Sequence, residues 1–412
     1  MQYNMSDKSL RKNIQTSEID YFYKNCTSFT KKIQDNQPVL IRLLSEYETY
    51  ATATDEIERA ISTLKGATDE FSTIEEPLGG LTITTFFPLN LPLYSLVLFA
   101  IMPSAFAKSV YVRPPEVMRE MLEKLWVFLN MEELFPQISL KNVPRHIFLQ
   151  LYAAESDVII FTGKYDNAID IHKACPQSLM LYNGSGVNPI LVCEDADLAF
   201  AANKSVEMRC FNSGQDCAGP DAIFVPSNLV DKFIKNLTEK IESSEVVGDT
   251  KDPQTTIGPT IKQSYISSLK DWFKDHQKLI VFGGDIDEKQ HLVQPTIIRS
   301  NVKNQIGKDF HEFFAPVFYI LAYDNDSDLQ QVLSLPAFSN RGMYISIFGN
   351  NPKIEKTLKS VRILKNKIVN DVEQGNTEYG GYGKQANFTL WKGKKAVHPI
   401  LISREIHNLL KA

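Results

Sequence analysis

Cysteine is scarce in this chain: five residues in 412, an odd number without regular spacing. Such a set cannot be read as a disulfide framework and points to reduced thiols. No Cys/His pair falls at zinc-ligand spacing, so no metal site is expected. Charge of one sign is lacking too. The formal net charge is −5, and a chain without a basic excess has nothing to recommend it as a nucleic-acid scaffold. Long apolar runs are also missing. The most apolar stretch, "LNLPLYSLVLFAIMPSAFA" (residues 89–107), is interrupted by Pro92 and Pro103. A membrane span wants about 20 unbroken apolar residues, so this stretch is expected to be a buried core element. The start, "MQYNMSDKSLRKN", has no apolar core of the signal-peptide kind. A cytoplasmic location follows as the expectation, with neither nucleic acid nor a membrane as partner. No internal repeat or low-complexity segment stands out.

What is present is ordinary globular composition, 43% hydrophobic and 23% charged, in a chain long enough for two or three domains. Residues 17–65 carry apolar side chains at three- and four-residue steps and read as helices. After "EEPLGG" the texture changes to short apolar runs alternating with helical segments. "LTITTFF", "KSVYVRPPE", "SDVIIFTG" and "SLMLYNG" are followed by "ILV", "AIFVP", "KLIVFGG", "APVFYILAY", "YISIFG" and "KNKIVNDV". That alternation predicts an α/β fold of βαβ units with doubly wound parallel sheets, whose ligands bind at the carboxyl ends of the strands. The acidic "EDAD" before "LAFAANKSVEMRC" is placed to cap a helix. In the tail, "HPILIS" reads as a short strand ahead of a last helix.

Eight landmarks in order resemble the aldehyde dehydrogenase superfamily. "FFPLNLPL" is similar to the family's Pro-Trp-Asn-Phe-Pro motif, with Leu89 in place of tryptophan. "VYVRPPE" resembles Leu-Lys-Pro-Ser-Glu, "FTG" at 161–163 the Phe-Thr-Gly turn, and "GVNPILVCEDADL" the Gly-Lys-Asn-Pro segment with its helix start. "FNSGQDCAGP" (211–220) is similar to the nucleophile motif Phe-Asn-Ala-Gly-Gln-x-Cys. "TIGP", "VQPTII" and "HEFFAPV" complete the set.

The resemblance implies roles. Cys217 would attack an aldehyde or acyl carbonyl, a task suited to sulfur because a thiolate is a strong nucleophile. Asn90 would donate to the oxygen on which negative charge develops. Arg113, Glu116, Gly163 and Lys164 would meet the adenosine and pyrophosphate parts of a dinucleotide, and Glu312 and Phe314 its nicotinamide end. NAD is the expected cofactor, because Glu116 would repel a 2′-phosphate, with NADP as the alternative. The other four cysteines read as core residues.

One departure matters most. Hydrolytic relatives carry Glu-Leu-Gly-Gly-Lys where this chain has "NGSGV", which puts Asn183 at the position of the glutamate that activates water. An amide has no useful basicity. Because "FNSGQDC" is of the aldehyde-oxidising type, the resemblance implies oxidation of an aldehyde to an acid; the missing glutamate leaves acyl-thioester reduction as one alternative and a non-catalytic binding protein as another. The expected organisation is a cofactor domain with N-terminal helices over 1–188, a catalytic domain over 189–380, and a C-terminal segment over 381–412 that completes a sheet and serves a homodimer. The partner is a small aldehyde or acyl thioester.

Overall fold

The computed structural model describes residues 8–72, 74, 79–184 and 186–411. Its first part is helical, as the periodicity predicts. Helix α1 (Lys8–Asp35) is followed by α2 (Gln37–Leu44) and α3 (Tyr50–Phe71). Pro38 lies in the first turn of α2, where its missing N–H costs nothing, and Thr49 caps α3 by accepting from the Thr52 N–H. Phe22, Cys26, Phe29 and Ile33 of α1 and Ile57, Ala60, Ile61 and Leu64 of α3 share one core cluster. These are the stripes at three- and four-residue spacing that the sequence shows.

Two seven-stranded sheets follow. The first is built from β1 (Leu81–Phe86), β2 (Ala107–Arg113), β3 (Ile138–Leu140), β4 (Val158–Gly163) and β5 (Leu179–Gly184). The second takes β6 (Asn188–Val192), β7 (Pro220–Pro226) and β8 (Ile280–Phe282), then β11 (Thr296–Asn301), β12 (Val317–Tyr323), β13 (Tyr344–Phe348) and β14 (Arg362–Lys365). Between β8 and β11 lies a small ribbon of β9 (Ile286–Asp287) and β10 (Leu292–Val293). The chain then returns to the first sheet with β15 (Asn387–Trp391) and β16 (Lys394–Ala396). The orders are β16-β15-β5-β4-β1-β2-β3 and β14-β13-β6-β7-β12-β11-β8. Pairing is parallel among β1 to β5 and among β6, β7, β11, β12, β13 and β14; β15, β16 and β8 run antiparallel.

Alternate residues of the central strands serve opposite faces, as a pleat requires. Leu191 and Phe224 sit in one core cluster while Ile190, Val192, Ile223 and Val225 sit in another. In the first sheet Ile160 and Leu181 face the N-terminal helices, whereas Ile159, Phe161, Met180 and Tyr182 face an aromatic cluster.

The apolar stretch 89–107 is a buried helical run of changing pitch. Helix α4 (Pro92–Leu96) opens into a π turn (Val97–Ile101) and tightens into a 3₁₀ turn (Met102–Phe106) where Pro103 offers no N–H. Among the described residues no helix is long and apolar enough to cross a membrane.

Two strand expectations are corrected. "KNKIVNDV" is not a strand: β14 ends at Lys365, Asn366 turns the chain with φ of 50°, and Val369–Asp371 is a 3₁₀ turn. "HPILIS" makes only an isolated antiparallel bridge, Ile400 to Tyr379, before the last helix begins at Ile402.

Candidate active site

The helix Leu198–Cys210 is capped as its acidic start predicts: Asp197 Oδ1 accepts from the Ala199 and Phe200 N–H groups at 3.1 Å. Beyond its end the chain makes a tight turn with Asn212, Ser213 and Gly214 all left-handed, at φ of 48°, 59° and 78°. For asparagine and serine that conformation costs roughly 1–2 kcal/mol each, so surrounding bonds must hold it. The guanidinium of Arg209, fully buried, donates to the carbonyls of Gly214, Phe313 and Pro220 and faces Asp221 at 3.9 Å. The Gly258 N–H donates to Ser213 Oγ at 2.8 Å. A β-carbon on Gly214 would meet the Ala315 carbonyl carbon at 2.3 Å, so only glycine fits there.

The turn delivers Cys217 to a cavity of about 110 Å³ at the carboxyl end of the first sheet, which Asn90, Thr162, Asn183, Glu373 and Tyr379 also line. The other four cysteines are buried; Cys217 alone among the five is partly exposed. Its Sγ lies 3.2 Å from the Tyr379 hydroxyl, and its carbonyl accepts from Asn188 Nδ2 at 2.7 Å. Burial, then the neighbouring Asp216 carboxylate, pushes the thiol well above its usual range, while the Tyr379 hydroxyl pulls it back. The resting form is therefore the thiol.

Asn90 reaches the same loop, its Nδ2 donating to the Gln215 carbonyl at 3.1 Å. The next residue, Leu91, is left-handed (φ 51°) and starts α4, whose Tyr94 N–H donates to Glu56 at 3.1 Å. Glu56 and Glu48 are both buried. Burial pushes both carboxyls up, Glu56 to about 7, and they face each other closely enough to share a proton.

Asn183 is on β5 opposite Asn387 of β15, and its Oδ1 accepts from Asn387 Nδ2 at 3.2 Å. Its oxygen thus clasps two strands. Across the cavity Glu373 is held by Arg59, Oε2 to Nη1 at 2.7 Å, while Arg59 also binds Asp55. Burial raises the Glu373 carboxyl to about 7, against the pull of Arg59.

The residues expected to meet a dinucleotide do not line this cavity; they lie beside it. Arg113 ends β2, and Gly163 ends β4 with φ of 148°, its carbonyl accepting from the Tyr182 hydroxyl at 2.8 Å. Glu116 and Lys164 are exposed. Burial and the adjacent Arg145 and Arg119 cations push the Arg113 guanidinium down, and Glu116 opposes them. Glu312 and Phe314 lie just ahead of β12. The Phe314 N–H donates to the Tyr265 hydroxyl at 2.8 Å, and the Glu312 charge reaches Cys217. Leu89, in the tryptophan position, is exposed.

Tyr379, Glu373 and Arg209 were not singled out from the sequence. The signal for Tyr379 was "EYGGYG": Gly380 and Gly381 pack so tightly that β-carbons there would meet Asn387 and Met343 at 2.0 and 2.3 Å.

The aldehyde dehydrogenase family model matches residues 10–400. The chain belongs to the aldehyde dehydrogenase family. Among curated relatives, a lactaldehyde dehydrogenase of Methanococcus maripaludis is 26% identical over 305 residues, covering 70% of this chain and 61% of that protein. A lactaldehyde dehydrogenase of Methanocaldococcus jannaschii is 26% identical over 397 residues, 88% and 82% of the two chains. The chain thus spans less than two thirds of the first relative's length. A solved structure, glyceraldehyde-3-phosphate dehydrogenase from Methanocaldococcus jannaschii complexed with NADP, superposes with a TM-score of 0.78 at 20% identity, covering 96% and 92%. This aldehyde dehydrogenase family member therefore has the α/β fold expected for it.

Proposed function

We propose that this protein oxidises an aldehyde to a carboxylic acid with a nicotinamide dinucleotide, through a thioester on Cys217. The observation that carries the reading is the setting of Cys217: the one partly exposed cysteine, on a strained loop, opening into a cavity that Asn90 also lines. Sulfur attacks the carbonyl carbon, its proton leaves, and negative charge gathers on the carbonyl oxygen. Asn90 Nδ2 carries two protons and spends one on Gln215, which leaves the second for that oxygen. The Cys217 backbone N–H is the second donor in this reading; one such donor is worth about 3–4 kcal/mol in other enzymes.

The cationic group beside the cavity fits a dinucleotide. Arg119 and Arg145, each at the start of a helix, press their charge on Arg113 at the carboxyl end of β2, and Arg119 Nε is buried without a hydrogen-bond partner. Such a cluster calls for an anion. Arg113 and its neighbours would hold the phosphates, and Glu312 and Phe314 the nicotinamide end. When bound, the dinucleotide supplies the two-electron acceptor that makes the hemithioacetal a thioester. NAD is favoured over NADP by Glu116 beside Arg113.

The cavity suggests the substrate class. Leu91, Leu98, Phe99, Met102 and Ile402 form an apolar wall, and no lysine or arginine lines it among the described residues. A phosphate or sulfonate tail would find no counter-ion, so a neutral aldehyde with an apolar tail fits best. Rates on a panel of apolar, hydroxylated and anionic aldehydes test this, and preference for an anionic tail would refute it. The amide at Asn183 favours one rival, transfer of the acyl group to or from a thiol. That rival predicts that turnover depends on an added thiol acceptor, whereas hydrolysis needs none.

A further inference from the structure

The hydrolytic reading leaves one chemical need unmet. A thioester on Cys217 must be attacked by water, and the residue at the expected base position is an amide whose oxygen is engaged with Asn387. Four carboxylates line the cavity among the described residues, Glu70, Asp216, Glu373 and Glu378, and Glu56 lies behind its wall, bonded to the Tyr94 N–H of α4. Most are committed. Glu378 is paired with Arg404, and Glu70 is bonded by Asn376 and Ser403. Asp216 accepts from the Ala218 N–H at 2.7 Å and belongs to the nucleophile loop itself. Glu56 is tied to the backbone of α4.

Glu373 differs. Arg59 fixes only its Oε2, at 2.7 Å, and no described donor is bonded to its Oε1. It lines the same cavity as Cys217, and its charge reaches that thiol. Arg59 is itself anchored by Asp55 at 2.5 Å, so the carboxylate is oriented by a cation that cannot swing away.

We propose that Glu373 is the base that activates water for hydrolysis of the Cys217 thioester, taking over the task that the amide of Asn183 cannot perform. The proposal rests on the hydrolytic reading. Glu373 Oε1 takes a proton from water as the water oxygen bonds to the acyl carbon. The tetrahedral centre then collapses, the carbon–sulfur bond breaks, the acid leaves, and Cys217 departs as a thiolate that regains a proton. Glu373 returns its proton to solvent. No oxidant or reductant enters this half of the cycle. A carboxyl raised to about 7 is ionised in a useful fraction at neutral pH and still basic enough to act.

The test separates this inference from the reading beneath it, because an activated ester acylates the cysteine without aldehyde or dinucleotide. With p-nitrophenyl acetate the wild-type protein should release about one equivalent of nitrophenolate per Cys217 and then turn over steadily. In Glu373→Gln the first phase should persist and the steady phase should fall by about 10²–10⁴-fold. Acetyl-enzyme should then accumulate on the Cys217 peptide by mass spectrometry. Arg59 keeps Asp55 in that variant, so its cation is not left unpaired. An unchanged steady phase in Glu373→Gln would overturn the inference. Absence of any first phase in the wild type would instead overturn the role of Cys217.

The wild type offers a second measurement that needs no variant. The groups facing Glu373 are Arg59 and Asp55 from α3, Asp216 and Cys217 from the nucleophile loop, Tyr94 from α4, Tyr344 from β13, and Tyr379. Arg59 orients the Glu373 carboxyl, which burial raises to about 7. The steady rate should therefore rise through a single ionisation near 7 and level off. A rate that climbs tenfold per pH unit without levelling, as direct hydroxide attack requires, contradicts the proposal.

Discussion

Replacing Tyr379 with phenylalanine isolates the one hydrogen bond that favours the ionised nucleophile. Three carboxylates and burial raise the Cys217 thiol, and only the Tyr379 hydroxyl, at 3.2 Å from Sγ, opposes them. A hydrogen bond to a charged partner contributes about 1.5–3 kcal/mol. Its loss raises the thiol further and, by that energy, cuts the thiolate at a given pH about 10–150-fold. The sign follows from the partner: the bond stabilises the thiolate more than the thiol, so removing it raises the pKa. The fold should tolerate the change, because the ring keeps its edge contact with Tyr344 (centroids 5.8 Å apart) and the backbone bridge to Ile400. The assay is the rate of alkylation by iodoacetamide against pH, read by mass on the Cys217 peptide; the other cysteines are buried. The reactive limb should move to higher pH while Tm changes little. An unmoved limb, or one shifted to lower pH, refutes the account of the thiol.

Three further outcomes are expected. Arg209→Leu removes the donor that bolts Gly214, Phe313 and Pro220 together and strands the buried Asp221, so it should cost about 3–5 kcal/mol in a denaturant titration and silence Cys217. Glu48→Gln should flatten the pH dependence of stability. The folded-state carboxyls of Glu48 and Glu56 are raised above the unfolded value of about 4.3, Glu56 to about 7. Stability from their bound proton is therefore full at low pH and lost as pH rises through about 7. Wild-type Tm should fall between pH 6 and 8, and the variant's should fall less. Arg113→Met should weaken dinucleotide binding in calorimetry and make it less sensitive to salt, since a cation has left the cluster with Arg119 and Arg145.

The central strands of both sheets were legible because each is a short apolar run stopped by glycine, proline or a charged turn, and "EDAD" announced the Asp197 cap in full; the short or polar β3, β14, β15 and β16 were not. The cavity's near side was legible as well, since Cys217, Asn90 and Asn183 lie on motifs whose order survives in this chain. Its far side was not. Tyr379 is 162 residues from Cys217, and Arg59 is 314 from Glu373. Local periodicity says nothing about such pairings, which depend on the path by which residues 366–400 return across the sheets. The same path explains both corrected strands. Asn366, at φ of 50°, ends β14 early. "HPILIS" is drawn to Tyr379 by one bridge, while Asn387–Trp391 takes the place beside β5. The role of Arg209 was hidden by its type: arginine is almost never fully buried unless paired, and its pairing comes from three carbonyls and Asp221.

Covalent attachment at Cys217 is the central claim, and trapping the intermediate tests it most directly. The protein is mixed with an apolar aldehyde and NAD, quenched in acid within one turnover, and digested for mass spectrometry. The account predicts an acyl group on the peptide that carries Cys217, formed in step with about one equivalent of reduced cofactor per chain and absent from Cys217→Ala. Turnover that survives in Cys217→Ala, or an acyl group found on another residue, would contradict it.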